Sequence, residues 1–172
     1  SSYFEMNYGD SGWRVRAMNR RLKELYYLEG TAGSTYNSAT KAAVKLFQRE
    51  CGMVQSGVAS AYMQQKLFSR NAPAYSGYIT LRRGDNNDRV AELQRRLRDL
   101  GYLDSGDVDG YYGRRTAAAV KEFQKMAGLP ITGVADPVTQ ELLFGPDAPY
   151  KPVIAEISAP KFYISNYSDE TQ

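Results

Sequence analysis

The chain has 172 residues, of which 42% are hydrophobic and 24% charged, with a formal net charge of +3 at pH 7. These values are ordinary for a globular protein, and the charge is too small to identify an anionic partner. Histidine is absent and Cys51 is the only cysteine, which excludes His-dependent triads, His-ligated zinc and an internal disulfide.

In chain order, Asp10 is read as the cap of a first helix whose apolar stripe is Val15, Met18, Leu22 and Leu25. A second helix is predicted from about Ser38 to Cys51, stopped by Gly52, and Ser60 caps a short third one. Residues 71–77, Asn-Ala-Pro-Ala-Tyr-Ser-Gly, read as a linker. Tyr78 to Leu81 is a brief β-like run ended by Gly84. Asp85, with Asp88 three residues on, is then expected to cap a helix carrying Val90, Leu93, Leu97 and Leu100 and ending at Gly101. The next helix begins near Gly113, buries Ala119, Val120 and Phe123, and stops at Gly128. Asp136-Pro137 announces the last, with Leu142, Leu143 and Phe144. Beyond Gly145, four prolines break any helix, and Val153-Ile154 and Phe162-Tyr163-Ile164 are expected as short strands.

The two halves repeat each other. Gly9-Asp10, Arg20-Arg21-Leu22 and Tyr27-Leu28 return 75 residues on as Gly84-Asp85, Arg95-Arg96-Leu97 and Tyr102-Leu103. Tyr36, Ala42-Ala43-Val44-Lys45, Phe47-Gln48 and Gly57-Val58-Ala59 return 76 residues on as Tyr112, Ala118-Ala119-Val120-Lys121, Phe123-Gln124 and Gly133-Val134-Ala135. A period this long marks a duplicated small domain. The predicted fold is all-α, with two tandem three-helix domains, short extended segments and a Pro-containing C-terminal tail. The expected boundaries are 1–70 and 78–145 for the repeats, 71–77 for the linker and 146–172 for the tail. The tail shows no counterpart after the first unit and reads as a linker or a docking arm.

The run Gly84-Asp85, Val90, Leu93-Gln94, Leu97, Leu100-Gly101-Tyr102, Asp109-Gly110-Tyr111-Tyr112-Gly113, Thr116, Phe123-Gln124 and Thr132-Gly133-Val134-Ala135-Asp136 resembles the type 1 peptidoglycan-binding domain. That family is a three-helix module attached to bacterial cell-wall hydrolases, spore-cortex enzymes and related exported proteins. The first unit matches less closely. It has Gly33-Ser34-Thr35-Tyr36-Asn37 where the second has Asp109 to Gly113, and Met18-Asn19 in place of Leu93-Gln94. It also has Leu25-Tyr26-Tyr27 in place of Leu100-Gly101-Tyr102.

The resemblance implies peptidoglycan as partner, through its glycan strands or its stem peptides. Such a ligand calls for flat aromatic faces with a few polar groups. The expected ligand-binding residues are Tyr102, Asp109, Gly110, Tyr111, Tyr112, Arg115 and Gln124, set against a plain structural role for several. The structural reading is favoured for Tyr112 as core, because Tyr36 matches it, and for Gln124 as a buried bridge to loop backbone, and Asp109-Gly110 can be read simply as a turn. Tyr111 has only Thr35 opposite it and is the best surface candidate.

Asp104, Asp107 and Asp109 hint at a calcium loop, but the EF-hand order fails because Thr116 stands where its final Glu belongs. No cofactor or metal is expected. The arginines Arg14, Arg16, Arg20, Arg21, Arg89, Arg95, Arg96 and Arg98 are interleaved with Glu24, Asp88, Glu92 and Asp99. That is the pattern of a solvated face rather than a nucleic-acid interface. Cys51 aligns with Ala127 and reads as an inert packed thiol. No apolar run reaches the roughly 18 residues that a membrane span needs.

The sequence therefore predicts a bacterial peptidoglycan-binding module with no catalytic residues of its own, the targeting part of a larger hydrolase, transpeptidase or other exported protein. Its expected place is the cell wall or exterior of a bacterium, with no signal peptide in the 172 residues. The alternative is a protein–protein scaffold that uses the same repeats and the tail.

Overall fold

Apolar residues three and four apart give each helix one buried face. In the computed structural model, which describes residues 2–153, the helices are α1 (Trp13–Glu24), α2 (Ser38–Glu50), α3 (Ala61–Leu67), α4 (Asp88–Asp99), α5 (Arg114–Met126) and α6 (Pro137–Phe144). A single 3-10 turn, Ser105–Asp107, lies between α4 and α5. Among the described residues there is no strand, only isolated bridges such as Met6 with Ala59. The architecture is all-α, as predicted. Val153 has no regular structure, and Ile154 and Phe162–Ile164 lie outside the described residues.

Two compact units emerge, one of residues 1–81 with 136–141, the other of 82–135 with the described residues from 142 on. In the first, α1 packs on α2 and α3, and Val15, Met18, Leu22, Tyr36, Val44, Phe47, Met63 and Leu67 are all but sealed from solvent. In the second, α4 packs on α5, burying Val90, Leu93, Leu97, Tyr112, Val120 and Phe123. Residues 136–141 join the first group through the run 78–81. The Gln140 amide donates to the Ile79 carbonyl, as that of Gln64 donates to Phe4 in the first repeat.

The helix caps follow the sequence with one correction. Ser60 Oγ accepts from the Met63 amide at 3.1 Å, and Asp136 Oδ1 accepts from Thr139 at 2.7 Å. Asp10 and Asp85, however, do not cap α1 and α4. The residue before α4 is Asn87, whose side chain accepts from the Val90 amide, and α1 begins after Gly12 with no side-chain cap. Each aspartate instead closes a turn two residues earlier. The Asp10 amide donates to the Asn7 carbonyl, and the Asp85 amide to that of Arg82. Asp10 Oδ2 in turn accepts from Asn7 at 2.7 Å and Asp85 Oδ2 from Arg82 at 2.9 Å. Gly9 and Gly84, at φ 98° and 95°, occupy the third position of these turns, where a positive φ is required.

Two arginines of the supposed solvated face are committed elsewhere. Arg21 donates from Nε to the Leu67 carbonyl at 3.0 Å and from Nη2 to Ser69 at 3.2 Å. Arg96 does the same to Leu143 at 2.8 Å and Gly145 at 3.2 Å. Each guanidinium thus holds the carbonyls that end the third helix of its repeat, where positive charge is favoured.

The start of the tail does have a counterpart. Tyr27 donates its hydroxyl to the Pro73 carbonyl at 2.6 Å, and the Tyr75 amide donates to Leu25 at 2.8 Å. In the second unit Tyr102 donates to Pro149 at 2.8 Å, and the Lys151 amide to Leu100 at 2.8 Å. Lys151 also pairs with Glu122 at 2.9 Å. Asn71-Ala-Pro-Ala-Tyr75 and Asp147-Ala-Pro-Tyr-Lys151 are therefore equivalent straps. Comparing side chains alone obscures this, because most of the contacts are made by backbone.

Candidate functional site

The loop between α4 and α5 is built around one buried amide. Gln94, with no exposed surface, accepts at Oε1 from the backbone amides of Asp109 at 3.0 Å and Gly110 at 2.8 Å. Its Nε2 donates to Asp109 Oδ1 at 3.1 Å, the Tyr111 carbonyl at 2.8 Å and Thr116 Oγ1 at 2.9 Å. Asp109 Oδ1 also accepts from the Tyr111 amide at 3.0 Å. That backbone donor, followed by the Gln94 side chain, holds the Asp109 carboxyl below its ordinary range. Gly110, at φ 80°, is buried in the bend. The outcome is a rigid loop that presents the Tyr111 ring, 49% exposed, over the backbone of Gly113, where an added Cβ would meet the ring at 3.3 Å. Arg115 stands exposed nearby in sequence, paired with Asp107 at 3.0 Å.

The remaining expected residues lie inside. Tyr112 is fully buried, with its hydroxyl donating to the Gly133 carbonyl at 2.6 Å; burial drives its pKa upward. Tyr36 donates to Gly57 at 2.6 Å in the same way, and burial, then the Asp10 charge, push its phenol up to about 12. Tyr102 is buried edge-on against Phe123, with ring centroids 5.6 Å apart. Gln124 accepts from the Thr132 and Gly133 amides at 2.9 and 3.0 Å and donates to the Val134 carbonyl at 2.9 Å. The Tyr102, Tyr112 and Gln124 side chains hold the turn 132–134 and the strap at Pro149 rather than facing solvent. Of the expected residues, Asp109, Tyr111 and Arg115 are the ones exposed to solvent.

The first unit has a looser loop. Asn19 replaces Gln94 and is one methylene shorter; it donates to the carbonyls of Gly33 at 2.9 Å and Thr35 at 3.3 Å. Its buried Oδ1 has no hydrogen-bond partner, so the reciprocal half of the network is missing. Cys51, half-buried at the end of α2, has its thiol pKa raised, chiefly by burial. No three His, Cys, Asp or Glu side chains among the described residues are grouped to hold a metal ion, and no helix there is long and apolar enough to cross a membrane.

Two grooves escaped the sequence reading. One, in the first unit, has a volume of about 360 Å³ and is lined chiefly by Tyr3, Phe4, Trp13, Arg14 and Phe68. Trp13 is 72% exposed, and the Arg14 guanidinium sits 4.7 Å from both the Phe4 and Trp13 ring centres. The other, about 390 Å³ in the second unit, is walled by Arg82, Arg83, Arg114, Lys121 and the turn Thr132–Val134. Neither is visible as a motif, because each gathers residues from segments far apart in sequence.

The repeat, its loop and its buried glutamines coincide with a known pattern: the family model described as "Putative peptidoglycan binding domain" matches residues 11–67 and 86–143. The chain belongs to that family. Among curated relatives of this peptidoglycan-binding pair, a "Spore cortex-lytic enzyme" of Bacillus cereus is 38% identical over 74 residues, covering 43% of this chain and 28% of that protein. The "N-acetylmuramoyl-L-alanine amidase CwlM" of Mycobacterium tuberculosis is 32% identical over 111 residues, covering 63% of this chain and 27% of the relative. The chain thus spans little more than a quarter of either. Among solved structures, the SleB N-terminal domain is 39% identical, with a TM-score of 0.36, covering 37% of this chain and 86% of that one.

Proposed function

We propose that this peptidoglycan-binding pair is the non-catalytic targeting part of a larger exported protein of a bacterial cell wall, and that its second unit holds peptidoglycan through the loop 109–113. The observation that carries this is the Gln94 network, which fixes Tyr111 as a half-exposed aromatic face on a rigid support beside Asp109. Rigid aromatic area with polar groups at its edge suits sugar rings and the amides of stem peptides. The patch is small, so affinity per unit is low and a second unit adds avidity. With the loop network incomplete in the first unit, that contribution is the weaker one.

Co-sedimentation with insoluble sacculi tests the reading. The full chain pellets with sacculi at low salt, Tyr111→Ala lowers the bound fraction several-fold, and Thr35→Ala at the matching position leaves it unchanged. Equal losses in the two variants would sink the asymmetry. A wild-type chain that stays in the supernatant would sink peptidoglycan binding altogether. That second outcome would favour the protein–protein alternative, for which the exposed aromatic groove around Trp13 is the surface available.

A further inference from the structure

We infer that the groove walled by Arg82, Arg83, Arg114 and Lys121 is an anion site that seats the carboxylates of peptidoglycan stem peptides. This rests on the peptidoglycan reading above and adds a second point of contact, apart from the Tyr111 loop.

The four cations converge from two segments, and a third closes the groove. Arg82 and Arg83 are the first two residues of the turn that Asp85 closes from both its amide and its carboxylate. Arg114 and Lys121 lie two turns apart on α5, with Ala117 and Ala118 forming a low floor between them. The far wall is the turn 132–134. It is held by Gln124 at the Thr132 and Gly133 amides and by the Tyr112 hydroxyl at the Gly133 carbonyl. The supports are therefore fixed even though the cationic side chains are exposed.

No carboxylate lines the groove. Among the described residues, none of the four cations makes an ion pair, whereas Arg98, Arg115 and Lys151 of the same unit each do. Four like charges gathered around one groove repel one another and gain from an anion that enters it. Arginine forks match carboxylates with paired hydrogen bonds.

The first repeat is an internal comparison. The positions of Arg82, Arg83 and Arg114 are occupied there by Asn7, Tyr8 and Ser38, and that of Lys121 by Lys45. The concentration of arginine belongs to the second unit, the one whose loop signature is intact. Peptidoglycan itself carries its negative charge in stem-peptide carboxylates, which makes them the anionic groups that a peptidoglycan-bound chain meets.

The test compares two triple variants of the full chain that lose the same charge. Arg82→Gln/Arg83→Gln/Arg114→Gln empties the groove of arginine; Arg16→Gln/Arg20→Gln/Arg95→Gln removes exposed arginines outside it. Circular dichroism first checks that both retain the helical signature. On sacculi, the groove variant is expected to bind about tenfold more weakly than wild type and with a shallower salt dependence. The other variant is expected to stay within about twofold of wild type. Amidating the sacculus carboxylates should erase the difference between wild type and groove variant, and stripping phosphodiester polymers from the sacculi should leave it intact.

Equal losses in the two variants, or none in the groove variant, would overturn the site while leaving peptidoglycan binding by the Tyr111 loop in place. A difference that vanishes on phosphodiester removal would reassign the groove to wall polymers. Failure of the wild-type chain to bind any sacculi would remove the proposed function and this inference together.

Discussion

At the residue scale, the side chains that brace the loop and its neighbouring turn are mostly buried ones. Gln94 organises the loop by satisfying two backbone amides and accepting none of the cost of exposure. Gln94→Ala leaves the Asp109 and Gly110 amides without their buried partner, which costs about 2–4 kcal/mol in a urea titration. The same substitution should weaken sacculus binding as strongly as Tyr111→Ala. The buried tyrosines give a second prediction. Because the folded-state pKa of Tyr36 is raised to about 12, the stabilisation from its neutral phenol is complete below the unfolded value near 10 and is lost as pH rises toward 12. Alkaline denaturation should start above about pH 10. Tyr36→Phe should flatten that part of the stability profile. A profile identical to wild type would show that this phenol does not govern it.

Sequence legibility at this scale was uneven for a physical reason. Asp10 and Asp85 were read as helix caps, yet they close turns, because a short carboxylate next to backbone amides suits both tasks. Tyr111 was singled out because its partner in the first repeat is threonine. Tyr102 and Tyr112 carry a polar end that finds a backbone carbonyl indoors, so their hydroxyls gave no guide to exposure.

At the scale of elements, the helices were legible because their apolar spacing and their stops agree, even where the expected cap was displaced by two residues. What periodicity does not register is the cross-links between elements. Arg21 and Arg96 look like members of a charged helix face, and only the fold reveals them as clasps on the ends of α3 and α6. Arg96→Ala should therefore destabilise the chain by about 1.5–3 kcal/mol, as expected for hydrogen bonds from a charged group, whereas Arg95→Ala, exposed beside it, should stay within about 0.5 kcal/mol. Equal effects from the two neighbours in thermal unfolding would reject the clasp. Tyr26 belongs to this scale too. It stands at φ 68° where its counterpart Gly101 has φ 90°, a conformation that disfavours any residue with a Cβ by about 1–2 kcal/mol. The first unit's departure from the Leu-Gly-Tyr turn is thus borne as backbone strain.

At the scale of the whole molecule, duplication has left two units alike in their scaffolds and unlike in their surfaces. One displays an aromatic groove, the other an arginine-walled groove and a braced loop. No linear motif announces either groove: the aromatic one needs the N-terminal segment, α1 and the end of α3 folded together, and the arginine one needs the turn before α4, α5 and the turn after it.

The straps at 71–75 and 147–151 change where a unit of this family should be cut. The family match ends at 67 and 143, before either strap begins. A second unit excised at Gly145 would leave the Tyr102 hydroxyl and the Leu100 carbonyl without the partners they have at Pro149 and Lys151. It should melt several degrees below the same unit carried on to 153. Anyone grafting such a module onto an enzyme has to take the eight residues, 68–75 or 144–151, that the family match does not include.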